Sequence, residues 1–155
     1  FTRGSGHNER AQYSERPDDW ERNMARLTRK FETARTLLPA PVLQTMPGAD
    51  VGLIAFGSTD PAIQETRTRL SAAGTPTAYL RLRALPLRPE VRNFVAAHRV
   101  VYVVEMNTDS QMHQLVQLHV PDLAPRVRRA NKSDGLPLTA DWITDFLTSA
   151  LEKEK

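Results

Sequence analysis

The residues best placed to do chemistry lie between Val100 and His113, in the stretch VVYVVEMNTDSQMH. A β-branched and aromatic run ends in Glu105, Met106 and Asn107, and Asp109 then opens a predicted helix carrying Gln111 and His113. A buried strand that delivers polar groups at its carboxyl end, just before a helix, is where open α/β sheets hold ligands or partners. Two readings fit these side chains. In one, Glu105, Asn107, Gln111 and His113 form a structural polar rim with Asp109 as the helix N-cap. In the other, they touch a ligand or a neighbouring domain. A carboxylate ending an apolar strand needs a partner or water, and Arg81 and Arg83, leaving the neighbouring strand, are the cations expected to reach Glu105.

Other chemistry is thinner. Gly57-Ser58-Thr59-Asp60 joins a strand to a helix, so the turn either holds a phosphate at the helix N-terminus or serves as a tight turn with a cap. Neither GxGxxG nor GxxxxGK[ST] is present. The histidines are His7, His98, His113 and His119. None belongs to an HExxH pair, and His113 and His119 do not share a helical face, so no metal site is expected. No GxSxG elbow and no evident pair of carboxylates supports a catalytic assignment. With 0 cysteines, the chain has no disulfide framework, no cysteine nucleophile and no thiolate ligands for zinc or an iron–sulfur cluster.

The elements that must position these residues follow a βαβ rhythm. Apolar runs at Val51–Phe56, Thr77–Leu82 and Arg99–Glu105 read as strands. Each is followed by a helical pattern: Asp60, as N-cap, to Gly74; Pro89 to His98; and Asp109 to about His119. The rhythm implies a parallel sheet with right-handed crossovers. Residues 126–131 are a candidate fourth strand, and Thr139 caps a last helix that turns Trp142, Ile143, Phe146, Leu147, Ala150 and Leu151 inward. Before the sheet, residues 1–16 read as loop, with Gly4, Ser5 and Gly6 as flexible punctuation. Pro17–Leu38 reads as an amphipathic helix with Trp20, Met24, Leu27, Phe31, Ala34 and Leu38 on one face. That face is expected to pack on its own domain or a neighbour. Pro39–Asp50 is a proline-rich linker in which Val42 and Leu43 are candidates for a short edge strand.

At 155 residues, the chain has the size of one domain with an extension. Its 40% hydrophobic content supports a core, and its 25% charged content is ordinary. A formal charge of +3 falls short of a dedicated nucleic-acid binder. No apolar run approaches the roughly 20 residues that span a bilayer, and no signal peptide is visible. These features point to a cytoplasmic protein without membrane or nucleic-acid partners. The opening at Phe1, straight into a polar segment, reads as part of a longer polypeptide.

Three stretches carry a family resemblance. VGLIAFGSTDPAIQE, AYLRLRALPL and VYVVEMNTDSQMHQL resemble the C-terminal domain of the alpha subunit of 2-oxoacid:ferredoxin oxidoreductases, and within that family the 2-oxoglutarate type. FTRGSGHNE and the KFETAR helix resemble the tail of the preceding pyrimidine-binding domain and its linker. The implied division is residues 1–50 for that tail, helix and linker, and 51–155 for a transketolase C-terminal-like domain. The implied fold is α/β: a mostly parallel open sheet with one antiparallel edge strand and helices on both faces. The implied enzyme decarboxylates a 2-oxo acid on thiamine diphosphate, passes electrons through an iron–sulfur cluster to ferredoxin and forms an acyl-CoA. Thiamine diphosphate, Mg and the cluster belong there to the intact complex with its beta subunit. This segment is expected to hold none of them and to be inactive alone. By resemblance, Glu105, Asn107 and Gln111 of the EMN/QM motif, and His7 and Asn8 of the GHNE stretch, are the candidates for interdomain or cofactor-side contact. The competing readings are a stand-alone α/β nucleotide- or phosphate-binding module using Gly57–Asp60, and an interaction domain using the basic helix.

Overall fold

A computed structural model describes residues 6–154, and Gly4 and Ser5 lie outside them. The chain divides into two compact units, Phe1–Leu38 and Pro39–Lys155.

In the first unit, α1 spans Pro17–Leu37, with Pro17 in its first turn and Asp18 and Asp19 at its positive end. Residues 6–16 do more than loop. His7 and Tyr13 form an antiparallel bridge, and the Asn8 side chain shapes the turn between them. Asn8 Oδ1 accepts from the backbone N–H groups of Arg10 and Gln12, each at 3.0 Å. The hairpin lies along the polar flank of α1. Ser14 donates to Asp19 at 2.6 Å, and Asn23 donates to the His7 carbonyl at 2.5 Å. Asp19 and Asn23 are therefore the buried residues of α1, whereas Trp20 and Phe31 of the apolar stripe are 61% and 59% exposed. The hairpin offers carbonyl and hydroxyl partners, so it selects the polar flank.

The second unit is a five-stranded sheet. Its strands are β1 (Val42–Gln44), β2 (Val51–Phe56), β3 (Thr77–Leu82), β4 (Val100–Glu105) and β5 (Val127–Asn131). The order is β1-β3-β2-β4-β5, with β1 antiparallel to β3 and every other pair parallel. Helices α2 (Asp60–Ala72), α3 (Pro89–Ala96), α4 (Gln111–His119) and α5 (Ala140–Glu152) complete it. The central strands are buried on both faces, which is why they read as continuous apolar runs. One face packs Leu53, Ala55 and Tyr102 against Ile63 and Leu70 of α2 and Ile143 and Leu147 of α5. The other packs Ile54, Leu80 and Val103 against Val91, Phe94 and Val95 of α3 and Val116 of α4. The expected edge strand at Val42–Leu43, the strand within 126–131 and the Thr139 cap are all present. Thr139 Oγ1 accepts from the Trp142 N–H at 3.2 Å.

Two expected caps differ. Asp60 is the first residue of α2, behind a 3₁₀ turn at Gly57–Thr59, and no side chain caps the helix. Its carboxylate is drawn away by the Tyr79 hydroxyl at 3.0 Å and Arg81 at 3.2 Å, both on β3. Asp109 likewise is not the cap of α4. The helix begins at Gln111, and Ser110, at φ 53°, holds the cap position.

Candidate functional site

The connection from β2 through α2 to β3 runs one way along the sheet, and the connection from β3 through α3 to β4 runs the other way. The reversal falls between β2 and β4, where an open α/β sheet leaves a crevice outside its carboxyl ends. Two loops of the resemblance flank that point: Gly57–Asp60 after β2, and Met106–Ser110 after β4.

Glu105 ends β4 and is 1% exposed. Its two carboxylate oxygens accept from the backbone N–H groups of Met112 and His113, each at 3.0 Å. A buried strand-end carboxylate thus caps the neighbouring helix, where orphan N–H groups and the helix dipole favour negative charge. The arginines expected to neutralise it do not reach it. Strand β2 lies between β3 and β4, and Arg81 is committed to Asp60.

Asn107 does for the loop what Glu105 does for the helix. Its Oδ1 accepts from the N–H groups of Asp109 at 2.9 Å and Gln111 at 3.3 Å, and its Nδ2 donates to Gln111 Oε1 at 3.1 Å. Asn131, at the end of β5, donates to the Asn107 and Thr108 carbonyls at 3.0 and 3.3 Å. The structure therefore brings Glu105, Asn107 and Gln111 together as the frame of one loop. Their side chains face each other and the backbone. Met106, 42% exposed, is the large apolar side chain that the loop presents outward, beside the exposed Thr108 and Asp109. His113 turns to the Val127 carbonyl at 3.4 Å. Ser110 is 2% exposed, and its hydroxyl has no partner.

His7 and Asn8 lie in the other unit. His7 Nδ1 is 2.8 Å from the Asn8 carbonyl, and Asn8 Nδ2 donates to Gln12 Oε1 at 3.1 Å.

Sequence reasoning missed a polar cluster on β3. Tyr79 is fully buried, and burial, reinforced by its hydrogen bond to Asp60, raises its ionisation well above the usual phenol range. Arg67, 8% exposed, donates to the Thr77 carbonyl at 3.2 and 3.1 Å and to Gln44, and sits 5.9 Å from the Tyr79 ring centroid. Burial lowers its pKa. The available signal was an arginine at helical spacing from Ile63 and Leu70, which puts it on the buried face of α2. This cluster ties β1, β3 and α2 together and leaves no reacting atom free.

Among the described residues, no three His, Cys, Asp or Glu side chains converge as metal ligands. No helix of the described residues is long and apolar enough to cross a membrane.

No family model matches the chain, and no curated protein matches it. Solved structures do. The 2-oxoglutarate:ferredoxin oxidoreductase from Magnetococcus marinus, determined with 2-oxoglutarate, coenzyme A and succinyl-CoA bound, superposes with a TM-score of 0.78 at 22% identity. That match covers 96% of this chain and 26% of the other. A split-gene transketolase, an inactive β4 tetramer, matches with a TM-score of 0.60 at 19% identity, over 74% of this chain and 42% of that one. A transketolase from Campylobacter jejuni matches with a TM-score of 0.51 at 13% identity, over 71% of this chain and 18% of that one. The chain has the transketolase C-terminal-like fold, and it spans about a quarter of the oxidoreductase chain that it matches.

Proposed function

We propose that this chain is the C-terminal part of the alpha subunit of a 2-oxoglutarate-type 2-oxoacid:ferredoxin oxidoreductase. The observation that carries this reading is the extent of the oxidoreductase match. At 96% of the chain it runs through most of the first unit, whereas the transketolase matches stop at 74% and 71%. The EMN/QM and GHNE resemblances point to the same enzyme from the sequence side.

In this reading the segment builds an interface and performs no chemical step. Thiamine diphosphate with its Mg ion, supplied by other parts of the assembly, provides the decarboxylation chemistry. An iron–sulfur cluster held by thiolates also belongs to other parts of the assembly in this reading, because this chain has 0 cysteines. Glu105, Asn107 and Gln111 serve by holding the loop after β4 in one shape, so that Met106 meets a neighbouring domain or the beta subunit at the carboxyl end of the sheet. Asn8 fixes the turn that positions His7 in the same way. Coenzyme A and ferredoxin are partners of the whole complex, which is cytoplasmic.

The test is to tag the chain at its native gene and purify it without denaturation. Reduction of a viologen dye that requires both coenzyme A and a 2-oxo acid should copurify, with 2-oxoglutarate the preferred acid. A tagged protein recovered intact, with its bound subunits and without any such activity, overturns the assignment.

A further inference from the structure

The sheet ends at β5 on one side and at β1 on the other. The β1 edge is blunted, since its three residues directly follow Pro41. The β5 edge is a five-residue strand, VRRAN, with continuous register and neither proline nor glycine. Beside the Glu105–Asn131 pair, the Lys132 N–H donates to the Glu105 carbonyl at 3.3 Å. In a parallel ladder, alternate residues turn their backbone groups to the same neighbour. Arg128 and Ala130 therefore bond to β4, and Val127, Arg129 and Asn131 turn theirs outward. Those of Val127 are used: its N–H bonds to the Ala124 carbonyl, and its own carbonyl meets His113 Nε2 at 3.4 Å. The outward N–H and carbonyl groups of Arg129 and Asn131 have no partner among the described residues.

The two faces of this edge differ. Arg128 pairs in register with Tyr102 and so lies on the α5 face, where Tyr102 packs. A notch of about 590 Å³ opens there, walled by Trp142 and Phe146 of α5, whose stacked ring centroids are 5.3 Å apart. Its charges balance: Arg128 is held by Glu154 at 3.3 Å, and one lysine, Lys153, is offset by one aspartate, Asp145. Arg129 pairs in register with Val103 and lies on the opposite face, the one that carries α3 and α4. It is exposed and has no ion pair or hydrogen bond among the described residues. One face thus offers aromatic surface without net charge, and the other offers an uncommitted guanidinium.

We propose that the β5 edge takes an added antiparallel strand from a partner protein, one that alternates carboxylate with bulky apolar side chains. In an antiparallel pair, the residue opposite Arg129 exchanges both backbone bonds with it and shares its face. A carboxylate at that position meets the guanidinium. The residues on either side of it point to the other face, against the Trp142–Phe146 wall. Main-chain bonds give such a contact its strength, and the alternate side chains give it selectivity. A second copy of this chain does not fit. A two-fold contact centred on Arg129 sets that residue against its counterpart, and one centred on Ala130 sets Arg128 against Lys132. The proposal goes beyond the oxidoreductase reading and stands without it.

A peptide titration of the 155-residue chain tests it. The chain has 2 tryptophans, so Trp20→Phe leaves Trp142 as the single reporter. The probe is an acetylated and amidated pentapeptide, Glu-Phe-Glu-Phe-Glu, which should shift the Trp142 emission saturably to shorter wavelength. Methylating the glutamate amide nitrogens removes the donors that face β5 and should abolish the shift. Methylating the phenylalanine amides, which face away, should leave it. Lys-Phe-Lys-Phe-Lys should not bind, and Arg129→Gln should weaken the parent peptide about threefold, with circular dichroism confirming the fold. Absence of a saturable shift up to about 2 mM parent peptide overturns the proposal. Equal binding by the glutamate-methylated or the lysine peptide, or an unchanged affinity in Arg129→Gln, overturns it as well, because phenylalanine adsorbing on the notch would then explain the signal.

Discussion

Glu105 has a clear job within the chain: its carboxylate closes the amino end of α4 from inside the sheet, with both oxygens on backbone N–H groups at 3.0 Å. Hydrogen bonds to a charged group contribute more than neutral ones, and a buried N–H left without its acceptor costs further. Glu105→Gln keeps the shape and removes the charge, and it should lower stability by about 1–3 kcal/mol. Urea unfolding of the 155-residue chain measures this, and an unchanged midpoint would show that the cap is dispensable. The neighbouring Asn107 spends its side chain on Asp109, Gln111 and the turn between them. Residues that look functional in the sequence can thus be occupied in shaping a loop. Tyr102 gives a further instance of environment over type. Burial, and then the negative charge of Glu154, push its hydroxyl up to about 12.

At the scale of elements, β2 depends on closeness as much as on apolar character. Gly52 lies under the Phe94 ring of α3, where an added Cβ would sit 2.7 Å from Phe94 Cε1, 3.0 Å from Cζ and 3.1 Å from Val101 Cγ2. Phe94 is 5% exposed and held by the core, so the ring cannot swing clear. Gly52→Ala should cost about 1–3 kcal/mol through overpacking, and Phe94→Leu in the same chain should recover part of the loss. A neutral Gly52→Ala in urea unfolding would mean that α3 shifts freely over the sheet. Helix α1 follows the opposite logic. Its apolar stripe is periodic in the sequence, yet the hairpin of residues 6–16 takes the flank carrying Asp19 and Asn23 because that flank answers hydrogen bonds. Helical periodicity tells which residues share a face; the partner at hand decides which face is covered.

At the scale of the molecule, the chain consists of two units that match about a quarter of an oxidoreductase chain. On the proposed reading, cofactor chemistry belongs to the rest of the assembly. The isolated 155 residues, supplied with thiamine diphosphate, Mg, coenzyme A, 2-oxoglutarate and a viologen acceptor, should show no turnover above the protein-free control. Clear thiamine-dependent turnover by this segment would reverse that reading. Most of the architecture was legible in the sequence: the β-branched runs of β2, β3 and β4, the helices between them, the edge strand at Val42 and the Thr139 cap. These are local features, carried by side-chain period and by capping residues a few positions away. The candidate site was legible only as a location. The sequence by itself determined that polar residues gather after β4. Only the tertiary structure decided what they bond to, because β2 inserts between β3 and β4 and separates Arg81 from Glu105, while Asn131 arrives from β5 to hold the Asn107 loop. Pairings between segments far apart in the chain leave no period to read, and those pairings set where each charge and each amide ends.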